Sequence, residues 1–147
     1  MAKSEIKGLN KLLKKFETLD KEIIKNVEGT IEGAAQNIEE DAKVAAPVFN
    51  GTSGGDLRLG IKAQPIAGKE MGYRVVAKEK YSAFMEFGTG GKNVKVPAEL
   101  KKIAAEFKGK GIREVNIQPR PFLYPAFVKH RKILIKDLKD YLKTLKL

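Results

Sequence analysis

The chain has 147 residues, a net charge of +11 and no cysteine. That length fits one domain able to bury roughly two thirds of its unfolded surface, and the missing cysteine excludes disulfides and thiolate metal sites. No apolar run approaches the ~18 residues that cross a bilayer, and the charged start Met1–Lys7 lacks the apolar stretch of a secretory signal, so synthesis in the cytosol is expected.

Charge is unevenly spread. Residues 1–46 carry eight lysines against nine acids, and residues 47–147 carry twenty-one basic against nine acidic groups. The first third is nearly neutral and the rest strongly basic. Such a field attracts phosphate backbones, acidic protein faces or anionic lipid.

Apolar residues recur on a helical period from Leu9 to Ala46. A break near Leu19-Asp20 divides a short helix from one of about seven turns starting at Lys21, with Asp20 as its cap and Leu19 and Ile24 at staple positions. Gly29 and Gly33, four apart, suit close approach of another backbone, most simply a helix crossing within the subunit. Pro47 ends the helix, and Asn50–Gly55 reads as a loop.

Leu57–Ile66 and Tyr73–Ala77 read as two strands joined by a turn through Ala67-Gly68-Lys69-Glu70. Leu57, Leu59, Ile61 and Ala63 would then share one face. Tyr81–Phe87 leans helical, closed by Gly88. Pro97 opens a further helix through Phe107, and Val115–Gln118 forms a short strand before Pro119 and Pro121. From Pro125 a last helix turns Phe127, His130, Leu134, Leu138, Tyr141 and Leu145 inward, with Lys132, Lys136, Lys139, Lys143 and Lys146 along the opposite face. The expected fold class is α+β, a small antiparallel β-sheet packed against a long N-terminal helix and a C-terminal helix.

Reactive constellations are scarce. The single histidine, His130, falls on the apolar side of a helix, where a hydrogen-bonded packing role outweighs catalysis. One histidine without cysteine argues against zinc, and no cofactor is expected. Gly88–Asn93 has the wrong glycine spacing for a phosphate loop, with Asn93 where a magnesium-binding Ser or Thr would stand. Glu86, among Phe84, Met85 and Phe87, lacks a second carboxylate nearby for acid–base chemistry. A structural pairing with a basic group such as Arg58 or Arg120, of this chain or of a neighbouring subunit, is the better expectation. The lysine face of the last helix is not interleaved with forked arginines or stacking aromatics, so sequence-specific DNA reading is weakly supported. Nonspecific backbone contact or docking on an acidic protein ring stays open.

Five segments occur in order: Gly8-Leu9, a helix ending in Ala46-Pro47, Gly55-Asp56-Leu57-Arg58, Tyr81-Ser82-Ala83-Phe84-Met85-Glu86-Phe87-Gly88-Thr89, and Arg120-Pro121-Phe122-Leu123-Tyr124-Pro125-Ala126. In this the chain resembles the tail-completion or neck proteins of tailed bacteriophages, the group called HK-ninety-seven gene-product-ten-like. The longer glycine-rich loop before Gly55, Gly60 in place of a common serine, and a helix-containing insertion at about 90–118 depart from the pattern within an otherwise single domain, 1–147.

The resemblance implies a non-enzymatic virion protein at the neck or tail junction, made in the host bacterial cytoplasm, with no membrane association. It implies a homohexameric ring joining the head connector or stopper ring to the tail tube or tail terminator, near genomic DNA. Candidate subunit or partner contacts are Arg58, Tyr81, Phe84, Glu86, Phe87, Thr89, Arg120, Phe122 and Tyr124. Candidate contacts to the DNA channel or an acidic partner are Lys132, Lys136, Lys139 and Lys143. The alternative is a basic nucleic-acid-associated protein that binds phosphates through the same lysine face.

Overall fold

The computed structural model describes residues 21–48, 55–69, 71–89 and 117–145, together with Ala98 and Lys101. The expected helix at Leu9–Phe16, all of the one at Pro97–Phe107 but Ala98 and Lys101, the Asp20 cap, the loop Asn50–Gly54 and the first half of the strand at Val115–Gln118 lie outside the described residues. The elements are α1 (Lys21–Ala45), α2 (Asp56–Leu59), β1 (Ile61–Pro65), β2 (Tyr73–Ala77), α3 (Ser82–Phe87) and α4 (Leu123–Thr144). The fold is α+β, as its periodicities predict.

Helix α1 buries Val27, Ile31, Ala35, Ile38 and Ala42, a single stripe at steps of three and four. Its two halves serve different cores. Val27 and Ile31 meet Met71, Leu134 and Leu138, while Ile38, Ala42 and the following Ala46 meet Leu57, Ile61, Met85, Phe122 and Ala126. The start of α1 therefore lies against the end of α4, and the two long helices run antiparallel. Polar contacts along the seam agree. Asn26 Nδ2 donates to the Tyr141 hydroxyl at 3.0 Å, and Asp41 Oδ2 lies 2.6 Å from Lys129 Nζ and 2.8 Å from His130 Nε2.

Strands β1 and β2 pair antiparallel, with Ile61 opposite Ala77 and Pro65 opposite Tyr73. Gly68, at φ 78°, supplies the turn between them. Ile61, Val75, Ala77 and Tyr73 face the cores, leaving Lys62, Arg74 and Lys78 exposed. The sheet is thus one layer over α1.

Two local expectations change. Asp56–Leu59 is a helical turn, opened by Gly55 at φ 115° and closed by the Gly60 N–H to the Asp56 carbonyl. Residues two apart sit on one face of a strand but on opposite sides of a helix, so Leu57 is buried and Leu59 is 72% exposed. The alternation Leu57, Leu59, Ile61 imitates a strand only in sequence. Second, no described atom lies within 4 Å of a side chain built at Gly29 or Gly33. Helix α4 packs on the Val27–Ala42 stripe, and the close crossing expected at the glycines is not made by any described residue.

Candidate partner interface

The two segments most conspicuous in sequence, Tyr81–Thr89 and Pro119–Ala126, are brought together as a fastener. Helix α3 buries Ala83, Met85, Glu86 and Phe87 and leaves Phe84 38% exposed. It ends at Gly88, at φ 71°, where an added Cβ would fall 2.6 Å from the Ile117 carbonyl and 3.0 Å from Pro119. Only glycine suits both that backbone and that approach. Thr89 and Ile117 then exchange backbone hydrogen bonds at 2.9 and 3.1 Å, with the Thr89 hydroxyl accepting a further one at 3.1 Å from the Ile117 N–H. The Arg120 N–H closes on the Met85 carbonyl at 2.7 Å.

Glu86 completes the fastener. Its Oε2 accepts the N–H groups of Phe122 and Leu123 at 2.9 and 3.0 Å, and its Oε1 accepts that of Tyr124 at 2.8 Å. These are the unpaired donors that open α4, and the next residue, Pro125, has no N–H to satisfy. One carboxylate thereby caps a 22-residue helix, with its negative charge at the positive end of the helix dipole. Within the subunit these amides take the place of the expected ion pair. Arg58 and Arg120 are exposed and neither pairs with Glu86 among the described residues; the Arg58 guanidinium donates instead to the Ala46 carbonyl at 3.5 Å. Three backbone donors stabilise the buried carboxylate, with no counter-charge among the described residues.

The remaining site residues separate by burial. Phe87 and Phe122 belong to the interior, Phe122 at 1% exposure, and Tyr81 packs at the margin of the larger core. Burial and the nearby Glu79 and Asp56 carboxylates push the Tyr81 phenol above its usual range. Thr89 and Tyr124 are half-buried, whereas Arg58, Phe84 and Arg120 face outward. Beside Tyr124 a shallow groove of about 650 Å³ runs along α4, lined among the described residues by Tyr124, Pro125, Val128, Lys129, Lys132 and Ile133. Lys132, Lys136, Lys139 and Lys143 are all exposed on α4, and Lys143 approaches Asp140 at 3.5 Å.

Two carboxylates went unnoticed in sequence. Asp41 joins Lys129 and His130, and the Lys129 hydrogen bond, then that of His130, holds it below the usual carboxylate range. Glu39 reaches from α1 to the Ala63 N–H at 2.5 Å while pairing with Lys43. Burial would raise its pKa, but the Ala63 and Lys43 hydrogen bonds, together with the charges of Lys43 and Lys62, outweigh that and leave it lowered. The faint signal was two acids at the inner flanks of an otherwise amphipathic helix. Leu59, Val44 at 80% and Val48 at 47% exposure also lie outside any core.

Fold and site together define a small α+β protein whose most distinctive residues fasten helices and shape a surface. His130 and Glu86, the acid–base candidates, are committed to Asp41 and to the α4 amides. Residues 10–88 match the family described as "Bacteriophage HK97-gp10, putative tail-component". The chain belongs to that HK97-gp10-like family of bacteriophage tail components. The matched span runs through α1, the hairpin and α3, and ends at Gly88, before the Arg120–Ala126 segment. No curated protein and no solved structure matches the chain.

Proposed function

We propose that this chain is a neck or tail-completion subunit. Copies close head-to-tail into a ring, hexameric as the resemblance implies, between the head connector or stopper ring and the tail tube or tail terminator, around the DNA channel. The observation that carries this reading is the family match, which takes in the Glu86-Phe87-Gly88 fastener. In this reading the buried Glu86, Phe87 and Phe122 hold the shape. Arg58, Tyr81, Phe84, Thr89, Arg120 and Tyr124 are the contact residues, with Phe84 the most exposed aromatic anchor. The chain is then a virion protein that works by fit, without making or breaking bonds.

The test is assembly. Purified chain mixed with the connector and tail-tube proteins of the same phage should form rings seen by electron microscopy, and Phe84→Ala should impair them without unfolding the subunit. A chain that stays monomeric with both partners and is absent from virions sinks the proposal. The exposed lysines of α4 favour a second reading, direct phosphate binding. Duplex affinity falling steeply with salt, without ring formation, would select it.

A further inference from the structure

The two edges of the β-hairpin are unlike. The Lys78 N–H bonds the Gly60 carbonyl and the Ile66 N–H bonds the Gly72 carbonyl. With the register of the pair, these bonds place the even-numbered residues in the ladder and point the odd-numbered backbone groups outward. On β1 that outward edge is partly blocked: the Ala63 N–H is taken by Glu39, and Pro65 has no N–H. On β2, no described residue hydrogen-bonds the outward backbone groups of Tyr73 and Val75 or the Ala77 N–H. Among the described residues only the Ala77 carbonyl has a partner, a 3.4 Å bond from the Ser82 hydroxyl. Unprotected edges invite another strand.

The charge around this edge says what kind. On the outer face of the sheet Lys62, Arg74 and Lys78 are exposed, whereas Glu28 and Glu32, the acids near Tyr73, belong to α1. A second copy pairing antiparallel through β2 would set Val75 opposite Val75. Arg74 would then lie diagonal to the other copy's Arg74 and Lys78 on the same face, an unfavourable like-charge arrangement. An acidic strand meets attraction at the same positions.

We propose that β2 is an acceptor edge for an extended acidic segment of another protein, added by main-chain hydrogen bonds to Tyr73, Val75 and Ala77. Its acidic residues alternate with apolar ones, the acids beside Arg74 and Lys78 and the apolar residues on the side of Val75 and Ala77. The surface is separate from the fastener and does not depend on ring formation.

The experiment uses the full chain and a fluorescent nine-residue peptide alternating Glu and Val, with a Lys–Val peptide as control. In the free chain the amides of Arg74, Val76 and Lys78 should exchange slowly and those of Tyr73, Val75 and Ala77 fast, and the acidic peptide should slow the latter three. Val75→Pro removes the outward N–H without touching the ladder, and Arg74→Glu reverses the charge. Each should weaken peptide binding about tenfold or more, and the Lys–Val peptide should not bind. The proposal is overturned if the acidic peptide does not bind, or binds equally well to folded Arg74→Glu. It is also overturned if the three edge amides are already protected in the free chain, whether sedimentation finds it monomeric (edge covered by its own chain) or dimeric (edge taken by a second copy).

Discussion

At Glu86 a single carboxylate does what local sequence usually does. Helix α4 begins Leu123-Tyr124-Pro125 behind Phe122, with no side-chain cap of its own. Its donors are satisfied from 36 to 38 residues away. Replacing Glu86 with Gln keeps the shape but removes the charge and turns an amide NH2 toward backbone donors. We expect a loss of about 1–3 kcal/mol in urea unfolding and faster hydrogen exchange at Phe122, Leu123 and Tyr124. Gly88→Ala strains the same junction through the Ile117 carbonyl and should cost roughly 1–3 kcal/mol. Because both changes loosen one fastener, the double variant should lose less than the sum. Full additivity would mean that the two act on separate structures.

Between elements, the α1–α4 seam joins an apolar stripe to a small polar set. Asp41, its pKa depressed first by Lys129 and then by His130, is the part that responds to pH. A carboxylate with a lowered folded-state pKa stabilises the fold above its unfolded value. That contribution is lost as pH falls through the folded value. Wild type should therefore exceed Asp41→Asn in thermal stability at pH 6, and the gap should close below about pH 4. A gap unchanged down to pH 2 would mean that the advantage does not come from the ionised Asp41 carboxylate. Glu39, also lowered, adds to the acid sensitivity of wild type and variant alike, so the difference isolates Asp41.

Much of this level was legible from the sequence, for a physical reason. The α1 and α4 stripes repeat over many turns, and Pro47 and Gly88 punctuate the chain by local sterics. Leu57–Leu59 was misread because two leucines two apart satisfy a strand pattern as easily as a helical turn too short to show its period. The Glu86 cap was illegible because its donors are backbone groups, which carry no side-chain signature. The coming together of the Tyr81–Thr89 and Arg120–Ala126 segments was foreshadowed only by their shared composition. The β2 edge, unpaired among the described residues, also left no mark, since the pairing of a strand edge depends on which segments fold against it.

Over the whole molecule, the excess of positive charge falls after residue 46, and α4 displays part of it as Lys132, Lys136, Lys139 and Lys143, all exposed. Their spacing of four, three and four places them along one side of the helix, with Asp137 and Asp140 between them in sequence. Side chains so placed contribute little to folding, so changing all four to Gln should leave stability within roughly 0.5 kcal/mol per site. Their long-range effect is separate. If the stripe faces DNA, four released counterions correspond to a slope of about −3.6 in log affinity against log salt, and the fourfold variant should lose most of that slope. If it faces an acidic ring instead, the variant should bind duplex as weakly as wild type and fail to enter particles. Measuring salt dependence and particle incorporation on the same variant therefore distinguishes a channel-lining surface from a docking surface, because only the first couples affinity to phosphate neutralisation.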